Sequence, residues 1–336
     1  MGAMRPRRVD PRELATYRAP ESWPQLSAED VAAHAPDASL VLVDGDELRA
    51  RCSLWWTDVP PYEAERLGVI GHYGATSESD GLAILQAAAT ELAHHGCTFA
   101  VGPMDGNTWR RYRLVVERGS EPPFFLEPDN PDAWREQFER VGFRVMATYT
   151  SAVTGDLTKE DPRLDTTLAK LQSEGVTIRS FDPAHADTEL KQLFRLSLDS
   201  FQANYLYSPI DENEFLDQNR QVLPSVVPDL VLMAERDSQL VGFAFAIPDI
   251  LQRQRRDAID TLIIKTVAVA PSMANHGLGG VLVGLVQRRA RELGFRRAIH
   301  ALMHEQNVSR HISRRYAHTI RRYALYVRRF PRALPG

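Results

Sequence analysis

Apolar and polar positions switch period in a regular way along this chain. "TLIIKTVAVA" (residues 261–270) is rich in β-branched and apolar side chains and predicts a buried strand. The chain then turns at Pro271 and crosses a small polar loop. From Gly277 it re-emerges with Leu278, Leu282, Leu285, Val286 and Leu293 spaced for one broad helical face, while Gln287, Arg288, Arg289, Arg291 and Glu292 point largely elsewhere. Gly294 predicts the end of that helix, and "RRAIHALM" the next strand. The first half repeats the plan with strand "RLGVIGHYGAT", helix "GLAILQAAATELAHH", a stop at Gly96 and strand "CTFAVGPM". Gly81 stands fifteen residues before Gly96, as Gly279 stands fifteen before Gly294. Ahead of each unit, "ASLVLVDGDELRARCSLWW" and "LVLMAERDSQLVGFAFAIP" predict hairpins around Asp-rich turns. The second half opens with strand "GVTIRSFD" and helix "HADTELKQLFRLSLDSFQANY". A polar connector with a short helix, "VTGDLTKEDPRLDTTLAKLQSEG", lies between the halves. The pattern predicts two similar α/β domains, residues 1–155 and 175–336, joined by a linker at 156–174. Two ordinary strand–helix–strand units that agree by chance are the alternative.

Composition narrows the class. At 336 residues, 43% hydrophobic and 25% charged, the chain has the size and balance of about two folded domains. No apolar run approaches the ~20 residues that span a bilayer, and the first residues lack the apolar stretch of a signal peptide. Two cysteines, Cys52 and Cys97, are too few for a disulfide framework or a cysteine zinc site, so a reducing cytoplasm is the expected location. The net charge of −4 is unevenly spread: residues 285–336 hold thirteen arginines, two acids and no lysine. That segment reads either as a solvated helix face and tail or as an attractive field for an anionic ligand. No recognised nucleic-acid motif accompanies the arginines, so nucleic acid is not the expected partner.

The glycines after the buried strand carry the chemistry. Three of the four residues 277–280 are glycine, although glycine inside a helix costs about 1 kcal/mol relative to alanine. A strand that feeds a helix through such a turn is a phosphate cradle. The first-turn N–H groups are unpaired, the helix dipole favours negative charge, and no Cβ blocks the approach. "GLGGVL" is not the dinucleotide pattern, because Leu282 stands where its third glycine belongs, and no G-K-[ST] follows.

The stretch "ANHGLG" (residues 274–279) resembles the Q/R-x-x-G-x-G/A loop of the GNAT acetyltransferase family, with Gly277 and Gly279 matching and Ala274 in the place of the usual Gln or Arg. "KTVAVAP" looks like that family's fourth strand, and "IHALMHEQNVSRHISRRY" like its fifth strand and the following helix. The whole chain is similar to tandem GNAT-like bacterial proteins whose first half carries "GPMDGNTWRRYRL" and "EPPFFLEPDNPDAWREQFERVGF". The resemblance implies two tandem GNAT-like α/β domains, each a mixed, mostly antiparallel sheet flanked by helices. It implies acetyl-CoA as cosubstrate, with its diphosphate on His276, Gly277, Leu278, Gly279, Gly280 and Val281. Its pantetheine arm would lie beside Val267, Ala268 and Val269, and Asn307 would touch it. In the first half Ser79 stands at the place of Gly277, flanked by Glu78 and Asp80, whose charge opposes a diphosphate. That half is expected to be a degenerate copy without cofactor.

The activity so implied is transfer of an acetyl group to a primary amine of a small molecule or peptide in a ternary complex; a non-catalytic acyl-CoA-binding sensor or scaffold is the alternative. The family's acid is often a tyrosine seven residues past the asparagine. Arg314 holds that place here, and Tyr316, two residues on, is the candidate acid. Glu305 and His304 are candidate bases. Lys265 could meet an acidic substrate or a buried carboxylate. Trp109, Tyr112, Arg113 and Glu127 are candidate acceptor-binding residues, with sheet packing as the competing role for the aromatic and arginine side chains. "EPPFFLEPDNP" reads as a rigid extended link. His300 and His304 would be about 13 Å apart on a strand, so no metal is expected. No membrane partner is expected, and homodimerisation is left open.

Overall fold

Both predicted strand–helix–strand units form in the computed structural model, which describes residues 4–63, 65–305 and 317–331. The first half contains β1 (Arg7–Val9), α1 (Ala28–His34), β2 (Ala38–Asp44), β3 (Glu47–Trp55), β4 (Leu67–Ala75), α2 (Glu78–His94), β5 (Phe99–Gly102), β6 (Leu114–Glu117), α3 (Ala133–Arg140) and β7 (Arg144–Thr154). The second contains α4 (Leu164–Ser173), β8 (Thr177–Ser180), α5 (Ala186–Phe201), α6 (Glu212–Val222), β9 (Val231–Arg236), β10 (Gln239–Pro248), the short α7 (Leu251–Gln254), β11 (Thr261–Val269), α8 (Leu278–Glu292), β12 (Arg297–His304) and β13 (His318–Arg329). The result is a mixed α/β fold with one large, mostly antiparallel sheet flanked by helices, as expected.

All thirteen strands belong to one sheet, in the order β1-β2-β3-β4-β5-β13-β7-β12-β11-β10-β9-β8, with β6 also on β13. Among the described residues only β4–β5 and β11–β12 pair in parallel, the two pairs that a helix crosses over. Read from its two ends toward the centre, the sheet presents the same succession twice, and the halves trade their last strands. β13, last in sequence, lies beside β5 of the first half; β7, from the first half, lies beside β12 of the second. β7 and β13 pair with each other along most of their length, Arg144–Val153 against His318–Val327. The ladder that joins the halves is thus made of residues far apart in sequence.

Helices cover the sheet with the apolar faces the pattern predicts, except that Leu293, expected on the face of α8, is its C-cap and is 49% exposed. α2 buries Ile84, Leu85, Ala88 and Leu92 against β2–β5, and α8 buries Leu278, Val281, Leu282, Val283, Val286 and Ala290 against β9–β11. Each large aliphatic side chain so buried is worth about 1.5–3 kcal/mol. Gly294, at φ +93°, ends α8 in the left-handed conformation that a C′ residue needs.

Two readings are corrected, and the basic segment gains partners. Residues 318–329 are neither a solvated tail nor a helix face; they form the central strand β13, with Tyr323, Ala324, Leu325 and Tyr326 at 0% exposure. Of the nine arginines of the basic segment among the described residues, six are ion-paired. Arg288 pairs with Glu160 and Asp165, Arg291 with Glu160, Arg297 with Glu121, Arg321 with Glu127, Arg322 with Glu117 and Glu305, and Arg329 with Glu65. These pairs join the acidic remainder of the chain to this segment; Arg310, Arg314, Arg315 and Arg332 lie outside the described residues. Finally, the link at residues 121–131 is not uniformly extended. It turns at Phe124–Glu127, where the Glu127 N–H donates to the Phe124 carbonyl and Leu126 takes φ +63°.

Candidate active site

The turn after β11 leaves its backbone bare. Gly277 is the N-cap of α8 at φ +83°, a conformation that favours glycine, and no side chain caps the helix. A Cβ built on Gly279 would make only ordinary contacts, 3.6 Å to Val269 and 3.9 Å to Val267, and one on Gly280 would meet nothing within 4 Å. Among the described residues Gly279 and Gly280 therefore face open space beside the valines of β11, whereas a Cβ on Gly277 would lie 2.9 Å from Thr167. β11 and β12 pair only from Thr261↔Arg297 to Ile264↔His300, although β11 continues to Val269 and β12 to His304. Beyond Ile264 the two strands diverge. Ala270 donates to Val241 on the β10 side, so strand alternation turns the backbone groups of Val269 and Val267 toward the opening. Among the described residues no side chain accepts from the N–H groups of residues 265–269, and one side chain, Ser200, donates to the Val269 carbonyl at 3.1 Å.

The matching turn in the first half is filled. Ser77 caps α2, its hydroxyl accepting from the Asp80 N–H. Asp80 is buried, and one oxygen of its carboxylate accepts from Ser77 Oγ at 2.6 Å, Thr76 Oγ1 at 2.9 Å and Arg49 Nη2 at 3.2 Å. Gly81, the counterpart of Gly279, is covered: a Cβ there would lie 2.4 Å from Gln137 of α3 and 2.7 Å from the Tyr73 hydroxyl. The divergence of β4 and β5 beyond Val69↔Val101 is closed as well, because the His72 N–H donates to buried Asp105 at 2.6 Å.

A buried polar cluster sits where β11 and β12 part. Three strands bulge at this level, each around a register shift. Lys265 of β11 is skipped between the pairs Thr266↔Phe245 and Ile264↔Ala246. β12 carries an extra residue between His300 and Met303, with Leu302 at φ +59°, and β13 one between Thr319 and Arg321. Bulges re-aim side chains that regular pairing would hold in place. Ser151 of β7 links the latter two, its hydroxyl accepting from the Leu302 N–H at 3.0 Å and lying 3.0 Å from the Tyr323 hydroxyl. Tyr323 donates in turn to Glu127. Glu127 and Arg321 form an ion pair at 2.8 Å with side chains 1% and 0% exposed. Lys265 donates to the Leu126 carbonyl at 2.9 Å, and burial, then the nearby Arg113, push its ammonium down to about 7 against the pull of Glu127. Arg113 packs in the corner made by the edge-to-face rings of Tyr112 and Tyr149, 3.8 Å and 4.2 Å from their centroids, and donates to the Leu302 carbonyl at 3.3 Å.

The structure thus gathers His304, Tyr112, Arg113 and Glu127 around β12. His304 packs edge-on to Tyr149 with ring centroids 5.0 Å apart, and burial, then Arg113, hold its imidazole below the ordinary histidine range. Glu305 accepts from Thr148 Oγ1 at 2.5 Å and Arg322 at 3.2 Å. Trp109 stands apart. Its indole N–H donates to the Ser208 carbonyl at 2.7 Å and its ring packs on Phe201, Tyr207 and Phe215, keying the first half onto α5 and α6. His276 points to Glu174 at 3.3 Å. Asn307 and Tyr316 lie outside the described residues. Among the described residues no group of three or more His, Cys, Asp or Glu side chains is placed to hold a metal ion. No helix among them is long and apolar enough to cross a membrane. Ser151, Arg321 and Tyr323 were not singled out in the sequence; the signal for β13 was the apolar and aromatic run "YALYV".

Comparison with known proteins bears on the fold. The Acetyltransferase (GNAT) family pattern matches residues 190–316, from α5 to the segment after β12. Protein YghO of Escherichia coli (strain K12) is 25% identical over 188 residues, which span 54% of this chain and 47% of that protein; the matched part is about half the length of this relative. A GCN5-related N-acetyltransferase from Sphaerobacter thermophilus superposes over 96% of this chain and 95% of its own, at 14% identity and TM-score 0.50. A conserved protein from Enterococcus faecalis V583 does so over 98% of this chain and 73% of its own, at 11% identity and TM-score 0.56. At such identities these two structures speak for the fold alone.

Proposed function

From the premise that residues 190–316 form a GNAT-family acetyltransferase domain, we propose that this protein moves an acetyl group from acetyl-CoA to a primary amine, using one cofactor site in its second half. The observation that supports this best is the contrast between two equivalent turns. The one before α8 is uncapped and open; the one before α2 is capped by Ser77 and occupied by Asp80.

The first-turn amides of Leu278, Gly279 and Gly280 would hold the diphosphate, each charge-assisted bond worth about 1.5–3 kcal/mol; the Val281 N–H, expected to join them, instead donates to the Gly277 carbonyl at 3.0 Å. The bared edge of Val267–Val269 would take the pantetheine arm as an added strand. Acetyl-CoA supplies an activated acyl group as a thioester. As the amine nitrogen bonds to the acyl carbon and the carbon–sulfur bond breaks, His304 accepts the proton the amine sheds. Its depressed pKa keeps the imidazole neutral, hence basic, at pH 7. The departing thiolate takes a proton from Tyr316, the proposed acid. Tyr112, Arg113 and Glu127 would shape the acceptor end, and Trp109 acts on it through the packing of α5 and α6. The first half, as a degenerate copy, braces the site through β7.

Isothermal titration is expected to show one acetyl-CoA per chain; two equal sites would refute the degenerate first half. Thiol release with an amine panel separates the enzyme from a non-catalytic acyl-CoA sensor, which would bind without turnover. For His304→Gln, turnover should drop about 10²-fold or more while acetyl-CoA affinity holds. The acid limb that His304 contributes to wild-type kcat/KM should lie below the ordinary histidine pKa, because burial, then Arg113, lower its folded value. An unchanged acid limb in the variant removes His304 as the base.

A further inference from the structure

We propose that the acceptor amine carries a carboxylate, and that Lys265, Arg113 and Arg321 form the site that receives it. This rests on the acyl-transfer reading above and adds the substrate class.

Charge accounting at the bulged level of the sheet leads there. Three cationic side chains converge on it, from β11, from the segment before β6, and from β13. Arg321 has a side chain 0% exposed, and Arg113 is 8% exposed. Against them stands one carboxylate, Glu127, which is already shared between Arg321 and the Tyr323 hydroxyl. No other acid is held in reserve, since every Asp and Glu of the chain lies within the described residues. Glu305, the nearest other carboxylate in sequence to β12 and β13, is engaged by Thr148 and Arg322.

The surplus is visible atom by atom. Arg113 Nε and Arg321 Nη1 are buried donors with no hydrogen-bond partner among the described residues. Lys265, as an ammonium, has three N–H donors and among the described residues a single acceptor, the Leu126 carbonyl. Buried donors are rarely left unpaired, and buried cations are paired as a rule. The rings of Tyr112 and Tyr149, set at 85° to each other, pack against the Arg113 guanidinium and relieve part of its cost. A monoanion with two acceptor oxygens fits the deficit: the edge of a guanidinium and an ammonium can each bond one oxygen. Dispersed among three cations, this charge would enter where β11 and β12 diverge, beside His304, the proposed base. A carboxylate held there fixes its own amine within a few bonds of that imidazole. Amino acids and other amino-carboxylates have this chemistry.

The test uses the full chain with saturating acetyl-CoA. Initial rates of thiol release are compared for amino acids against their methyl esters, which keep the amine and lose the charge. The acids should be favoured by about 100-fold in kcat/KM, two charge-assisted bonds being at stake. Lys265→Met, which keeps the length of the side chain, should cut that preference about tenfold; Lys265→Arg should retain most of it. Equal use of acids and esters, or a preference untouched by Lys265→Met, overturns the proposal while leaving acyl transfer intact. A second measurement needs no turnover: binding of N-acetyl amino acids against N-acetyl amino amides to the wild-type chain. If no amine releases thiol but the acids still bind at least tenfold tighter, the acyl-transfer reading falls and the carboxylate site stands. Equal binding, or none, rejects the site.

Discussion

Glu127→Ala should lower stability by about 3–5 kcal/mol, the cost of stranding a buried cation. Its ion-pair partner Arg321 is wholly covered and sits in the middle of β13, and the Tyr323 hydroxyl loses its acceptor at the same stroke. Glu121 and Pro122 carbonyls still accept from Arg321 Nη2 at 3.0 Å and 3.2 Å, but they carry no full charge to offset the guanidinium. The thermal midpoint should fall on the order of 10 °C. Because β13 pairs with β5 on one side and β7 on the other, both halves should lose structure together. Combining Glu127→Ala with Arg321→Met removes both charges and should recover part of the loss. A single variant as stable as the wild type, followed by circular dichroism on heating, would mean that the pair contributes nothing to holding the halves together.

Gly279→Asp is expected to weaken acetyl-CoA binding by roughly 100-fold or more, read by titration calorimetry. Two unit charges ~4 Å apart near a protein surface repel by about 4 kcal/mol, more than that loss requires. The fold should tolerate the change. The new Cβ would meet Val269 and Val267 at 3.6 Å and 3.9 Å, ordinary contact distances, and a carboxylate in the first turn of a helix is favourable to its dipole. The first half already shows such an arrangement, with Asp80 over the start of α2. Unchanged affinity in a folded variant would remove the turn from the cofactor site.

Much of this architecture can be read without coordinates. The strand–helix–strand units stand where hydrophobic period and glycine spacing place them, from β4 through α2 to β5 and from β11 through α8 to β12. The hairpins β2–β3 and β9–β10 follow from alternation around Asp-rich turns. The bare turn at Gly277 to Gly280 is legible for a related reason: a missing Cβ is a property of the residue itself. Misreadings cluster in the basic C-terminal segment. There the arginine count dominated the pattern, although residues 323–327 carry the apolar run of a buried strand.

What the sequence determined by itself is local: which stretches are strands or helices, where they stop, and which helix start lacks a cap. Those properties depend on residues a few positions apart, so their order along the chain carries them. Only the tertiary structure decided that β7 and β13 change places between the halves, or that Ser151, Tyr323, Glu127 and Arg321 meet. Ser151 and Tyr323 are 172 positions apart, and Glu127 and Arg321 are 194. Ladder partners at such separations are selected by which edges remain open once the local units have packed, and a lone arginine in a basic run gives no sign that a carboxylate will bury it.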